Sequence, residues 1–123
     1  MPKKVAIIED EAELAALLEY NLGRQGLTTR VISSSKGALE QLTRCYRMEL
    51  GARGITINTV LPGFVETELA ADTPQEYKDN LMRRTALGRL GTPEEIASVV
   101  AFLASDAARW ITGEAIQVSG GLA

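Results

Sequence analysis

The sequence predicts a three-layer α/β domain of the doubly wound type, with a parallel sheet of four strands between two layers of helices. Three observations predict it. Short aliphatic and β-branched runs alternate with longer segments whose leucines recur at helical spacing, in the order β-α-β-α-β-α-α-β. The helical segments are long enough to act as crossovers between parallel strands. The first apolar run, Val5-Ala6-Ile7-Ile8, is unbroken by polar residues, the mark of a strand buried on both faces.

Each element has its own signal. The first strand stops at charge, and Asp10 followed by Glu13 forms a capping-box pattern. Leu14, Leu17, Leu18 and Leu22 then share one helical face until Gly23 and Gly26 end it. Thr28 to Ile32 is rich in β-branched residues and reads as a second strand. The serines at 33 to 35 offer N-caps for a helix with Leu39, Leu42, Tyr46 and Leu50 on one stripe, closed by Gly51 and Gly54. Ile55 to Leu61 alternates polar and aliphatic residues, a third strand ended by Pro62-Gly63. Thr73-Pro74-Gln75-Glu76 and Thr92-Pro93-Glu94-Glu95 each place a capping threonine, a first-turn proline and an N3 glutamate in register. The second of these helices carries Ile96, Val99, Val100 and Leu103 on one face. Glu114 to Ser119 is the last strand, before Gly120-Gly121.

Composition bounds the function. A chain of 123 residues makes one domain, 1–123, and buries roughly two-thirds of its unfolded surface. Net charge is -3 with both signs interleaved, so neither nucleic acid nor an anionic membrane is an expected partner. Cys45 is the only cysteine and no apolar leader follows a basic start, which argues against disulfides, thiolate metal sites and a secretory signal and for a cytoplasmic location. Histidine is absent, and with it the commonest general base and transition-metal ligand.

Two segments resemble known families. Residues 1–32, through Val5-Ala6-Ile7-Ile8-Glu9-Asp10-Glu11 and the helix from Leu14 to Leu22, resemble the start of a response-regulator receiver domain. Residues 33–123 resemble the C-terminal part of a short-chain dehydrogenase/reductase. The stretches that carry this are Ser33-Ser34-Ser35-Lys36-Gly37-Ala38-Leu39, Glu49-Leu50-Gly51-Ala52-Arg53-Gly54-Ile55, Pro62-Gly63-Phe64-Val65-Glu66-Thr67, Gly88-Arg89-Leu90-Gly91-Thr92-Pro93-Glu94-Glu95-Ile96-Ala97 and Ile111-Thr112-Gly113 before Gly120-Gly121.

The two resemblances together imply a chimera joined near residues 31 to 36, built as an engineered or recombinant scaffold with no native catalytic activity. The alternatives are a degraded NAD(P)-dependent oxidoreductase or nucleotide-binding module, and a phosphorylation-incompetent receiver-like interaction domain. The receiver resemblance favours a flavodoxin-like strand order 2-1-3-4; the dehydrogenase resemblance implies the sequential order 1-2-3-4. It also implies a homodimer through the last helix and the C-terminal edge strand; the alternative is a monomer with a flexible loop over 64–73.

The chemistry each family needs is only partly present. In receivers the acidic pair matching Glu9 and Asp10 holds Mg²⁺, but two adjacent carboxylates alone make a weak site. The phosphoacceptor position falls on Asn58, and a carboxamide accepts no phosphoryl group. In dehydrogenases the catalytic pair is Tyr-x-x-x-Lys; Lys36 matches the lysine, while Ile32 stands where the tyrosine would be and cannot transfer a proton. Dinucleotide binding needs a glycine-rich first βα turn, and here that turn is Glu9-Asp10-Glu11, which repels phosphates. Pro62, Gly63 and Thr67 match the family's nicotinamide-side contacts. The expectation is therefore no working catalytic, cofactor or metal site, with Lys36 and Asn58 as catalytic remnants, Pro62, Gly63 and Thr67 as cofactor remnants, and Glu9 and Asp10 as a partial Mg²⁺ site.

Overall fold

The computed structural model describes residues 4–8, 12–26, 28–32 and 36–123. The elements are β1 (Lys4–Ile8), α1 (Ala12–Arg24), β2 (Thr28–Ile32), α2 (Lys36–Gly51), β3 (Thr59–Pro62), α3 (Glu68–Ala71), α4 (Gln75–Arg83), α5 (Pro93–Leu103) and β4 (Ala115–Val118). A short 3-10 turn at Asp106–Ala108 links α5 to the approach of β4.

All strand pairing between these elements is parallel, as the α/β pattern of the sequence predicts. β1 pairs with β2, Lys4 opposite Thr28 through Ile8 opposite Ile32. β3 pairs with β4, Thr59 opposite Ala115 through Pro62 opposite Val118. Among the described residues these form two sheets of two strands each rather than the single four-stranded sheet expected from the sequence.

The core lies between α1 and α5. Leu14, Leu18 and Leu22 lie on one stripe of α1, as their spacing predicts, and with Ala15 they pack against Ile96 and Ala97 of α5. Leu22 and Ile96 are fully buried, and burial of such side chains contributes about 1.5–3 kcal/mol each. Val60, Val65 and Val118 close the cluster from the β3–β4 side, so α1 shares one core with the strands that carry the site.

Four local expectations are corrected. β3 begins at Thr59 rather than Ile55: Ile57 is instead held to the loop before β4, its N–H donating to Thr112 Oγ1 at 3.0 Å and its carbonyl accepting from Gly113 N–H at 2.7 Å. The stripe of α2 is not its buried face. Leu42 and Tyr46 are nearly half exposed, and the buried residue is Thr43, whose hydroxyl lies 2.5 Å from that of Thr59 on β3. Thr73 does not cap α4; Pro74 takes the N-cap position with ψ 138°, outside the helical range, while Thr73 N–H still donates to Ala70 O. Within the loop 64–73 residues 68–71 form the short helix α3. The Thr92 cap stands as predicted, with both halves of its capping box formed.

Candidate functional site

The site is built where β3 and β4 end side by side. Pro62 closes β3, and the next N–H, from Gly63, donates to Val118 O at 3.0 Å. Here the chain passes so close to β4's exit that a Cβ on Gly63 would lie 2.7 Å from Ser119 Cα and 2.8 Å from its Cβ. Only glycine fits that approach. Beyond it the loop is pinned to residue 91 from both directions: Gly91 N–H donates to Phe64 O at 2.9 Å, and Glu66 N–H donates to Gly91 O at 2.8 Å. Thr67, buried, then caps α3, its hydroxyl accepting from Ala70 N–H at 3.4 Å. The next N–H, from Glu68, donates to Glu13 Oε1, which ties the loop to the first turn of α1.

The opposite wall is equally ordered. Thr92 caps α5 and Glu95 returns the bond, accepting from Thr92 N–H at 2.9 Å. Glu95 also accepts both guanidinium nitrogens of Arg89, at 3.0 and 2.5 Å. The hydrogen bond from Arg89, followed by that from the Thr92 backbone, lowers the Glu95 carboxyl to a pKa of about 2. Past β4, Gly120 and Gly121 take left-handed φ of 62° and 76°. That turn lets the following segment run antiparallel to residues 84–87, Leu87 N–H donating to Gly120 O and Ala86 N–H to Gly121 O. Between the two walls lies a pocket of about 140 Å³, lined by Phe64, Leu87, Arg89, Gly91, Glu95, Ile96 and Val118 through Gly120.

The sequence-predicted residues separate into groups. Pro62, Gly63 and Thr67 come together in this loop. Asn58 sits at the far end of β3 and its amide is fully engaged there, Nδ2 donating to Ile111 O at 3.1 Å and Oδ1 accepting from Glu114 N–H at 3.2 Å. It joins the entry of β3 to the entry of β4. Ile32 ends β2 and Lys36 opens α2. Glu9 and Asp10 lie outside the described residues, as does the Asp10 half of the predicted capping box. Among the described residues no three His, Cys, Asp or Glu side chains group as metal ligands. No described helix is long and apolar enough to cross a membrane.

Sequence reasoning left Ser119 and Gly91 without a role in the site and gave Glu13 only a capping one. A glycine after the strand-ending proline signals a close backbone approach, but not which residue it meets. Glu13 carries no such signal, because its contact is with a residue 55 positions away.

The loop presents an ordered backbone and Thr67, whereas the pocket beside it is below the roughly 300–1,000 Å³ of sites that enclose drug-sized ligands.

Comparison with known proteins places the chain among relatives. Residues 11–123 match the sequence profile of the family described as enoyl-(acyl carrier protein) reductase. The 3-oxoacyl-(acyl-carrier-protein) reductase FabG of Pseudomonas aeruginosa is 43% identical over 101 residues, covering 82% of this chain and 40% of that protein. The (3R)-3-hydroxyacyl-CoA dehydrogenase of Mus musculus is 46% identical over 90 residues, covering 73% of this chain and 35% of that one. Among solved structures, a short-chain dehydrogenase/reductase from Serratia marcescens superposes with a TM-score of 0.66 at 45% identity, over 70% of this chain and 35% of that chain. The angucycline C-6 ketoreductase LanV with bound NADP does so with a TM-score of 0.66 at 46% identity, over 71% of this chain and 34% of that one. The chain thus spans well under half the length of these relatives.

These matches overturn the reading of an engineered chimera without native activity. The family profile begins at residue 11, inside the segment assigned to a receiver and well before the expected join, and nothing found supports a receiver domain. The relatives are named oxidoreductases, so the expectation that this is no enzyme is also replaced. A core that unites α1 with α5, a closed loop from Pro62 to Thr67, and matches over nine-tenths of the sequence lead to one conclusion: the chain belongs to the short-chain dehydrogenase/reductase family.

Proposed function

We propose that this chain provides the nicotinamide-side part of an NAD(P)-dependent oxidoreductase that interconverts a carbonyl and a hydroxyl on a 3-oxoacyl or 3-hydroxyacyl substrate. The observation that carries the reading is the loop from Pro62 to Thr67, held by hydrogen bonds to Val118 and Gly91 and packed closely against Ser119. Such pre-organisation is what a binding loop needs, because ordering it on binding would cost affinity. Pro62, Gly63 and Thr67 would meet the nicotinamide end, and the cofactor when bound supplies or accepts the hydride. Lys36, at the start of α2, stands where the family's catalytic lysine would be, without its tyrosine. With Ile32 four positions earlier, no proton transfer is assigned to this segment. The substrate class follows from the names of the relatives, a 3-oxoacyl-(acyl-carrier-protein) reductase and a 3-hydroxyacyl-CoA dehydrogenase.

Titration of the labelled protein with NADPH and with NADH, followed by amide chemical shifts, tests this. Saturable shifts at Gly63, Phe64 and Thr67 are expected; an unchanged spectrum at millimolar cofactor would refute it.

We infer further that the parallel pairs β1–β2 and β3–β4 are halves of one sheet; both pairs occur in the order 2-1-3-4 and in the order 1-2-3-4, and an NOE between β1 and β3 or between β2 and β3 distinguishes them. The protein is also proposed to pair with itself through α5 and β4, where Ala115 and Gln117 are exposed and Ile116 and Val118 half-buried. Light scattering at several concentrations tests the second point, and a constant monomer mass would refute it.

A further inference from the structure

Backbone donors along the loop are held by two kinds of partner. Gly63 N–H donates to Val118 O at 3.0 Å and Glu66 N–H to Gly91 O at 2.8 Å, both neutral carbonyls of the segments that wall the loop. The donor that follows Thr67, the N–H of Glu68, goes instead to a carboxylate, that of Glu13 in the first turn of α1, 55 positions away. This contact crosses the crevice. In doubly wound folds a dinucleotide lies along the C-terminal ends of the strands with its pyrophosphate at the N-terminus of the first helix. Glu13 reaches from that helix end to the end of the loop, so its side chain spans the path between the two.

We propose that Glu13 is a strap that holds the cofactor crevice shut: its carboxylate occupies the Glu68 N–H beside Thr67 and must leave before a nicotinamide carboxamide can use that donor. The inference rests on the nicotinamide-side reading given above. The competition is unequal, because a hydrogen bond to a carboxylate is roughly twice as strong as one between neutral groups. A neutral carboxamide oxygen therefore displaces Glu13 only with help from the rest of the ligand. Charge reduces that help, since a pyrophosphate arriving at the first turn of α1 meets Glu13 with the same sign. Release is a rotation of the side chain rather than a movement of the helix: the next two residues, Leu14 and Ala15, are buried in the core shared with α5.

Two variants separate the charge from the contact. Glu13→Gln keeps the shape and an acceptor but drops the charge, and Glu13→Ala removes the acceptor; both leave the core face of α1 unaltered. In the protein without ligand, hydrogen exchange at Glu68 N–H should speed about fivefold in Glu13→Gln and further in Glu13→Ala, while Gly63 and Glu66 N–H exchange as in the parent. Titrated with NADPH and with reduced nicotinamide mononucleotide, and read from the amide shifts of Gly63 and Thr67, Glu13→Gln should bind each about fivefold tighter than the parent and Glu13→Ala at least as tightly. Unchanged exchange at Glu68 overturns the strap. Faster exchange with unchanged or weaker nucleotide binding makes Glu13 a support of the loop, which overturns the proposal and leaves the nicotinamide reading standing. Binding by none of the three proteins refutes that reading and the proposal with it.

Discussion

Replacing Gly63 by alanine probes the closest approach in the site. The added Cβ would stand 2.7 Å from Ser119 Cα, 2.8 Å from its Cβ and 3.1 Å from its carbonyl oxygen. Two of these three are backbone atoms, so no rotamer change relieves the collision. The ends of β3 and β4 must separate, which also stretches the 3.0 Å bond from Gly63 N–H to Val118 O. Overpacking costs about 1–3 kcal/mol and loss of the hydrogen bond about 1 kcal/mol more. Alanine recovers about 0.4–1 kcal/mol by restricting the unfolded chain, which leaves a net loss of about 1.5–3 kcal/mol. With a urea m-value of ~2 kcal/mol/M, the unfolding midpoint should fall by about 1 M with m unchanged. Ser119→Gly in the same chain removes the contact at 2.8 Å but leaves the one at 2.7 Å, so it should restore only part of the loss. A Gly63→Ala midpoint equal to or above the parent's would show that the strand ends are not packed as described.

Three further changes test other contacts. Thr43→Val leaves the buried Thr59 hydroxyl with only the long 3.5 Å contact to Leu39 O, and should cost about 1–3 kcal/mol; Thr43→Val with Thr59→Val should cost less than the single change, and an additive double mutant would refute the pairing. Asn58→Ala removes both halves of the amide bridge to Ile111 and Glu114, and should lower stability by about 1–2 kcal/mol and speed hydrogen exchange at Glu114 N–H; unchanged exchange there would refute the bridge. Glu95 has its folded pKa depressed to about 2, so its contribution is complete above the unfolded value of 4.5 and is lost as pH falls from there toward 2. Glu95→Gln should flatten the pH dependence of stability in that window only, by a small amount that added salt reduces further, and a parent and variant with parallel profiles would refute it.

Much of the fold is legible in local chemistry. Leu14, Leu18 and Leu22 repeat at helical spacing because one face of α1 must meet a core, and Thr92-Pro93-Glu94-Glu95 combines three start signals in four residues. Where a single local signal competes with tertiary contact, the contact wins. Ile55 to Asn58 alternates like a strand, yet Ile57 and Asn58 bond to the loop at 111–114, and pairing with β4 begins only at Thr59. On α2 the leucine stripe is visible and the buried Thr43 is not, because a threonine's value there depends on a hydroxyl from β3. The same division holds in the site. Pro62, Gly63 and Thr67 are marked by a turn and a cap, while Ser119, Gly91 and Glu13 join them only once distant segments meet. Acidic residues after the first strand suggested a receiver, but a short motif near one end is a weaker witness than the family match from residue 11 onward.

The pairing of α1 with α5 bears on how the protein is made. The leucine face of α1 finds its partner in Ile96 and Ala97, far along the chain. At a synthesis rate of ~5–20 residues per second, the roughly eighty residues between Leu14 and Ile96 take about 4–16 s to appear. Throughout that interval the α1 stripe lacks Ile96 and Ala97, and Val60 and Val65 emerge only about halfway through it. Contacts of such sequence separation also close slowly once available, because the loop entropy is spent before any packing is gained. The nascent chain should therefore depend on holding chaperones more than one whose core forms from neighbouring segments, and a variant that brings α1 next to α5 in sequence should need them less.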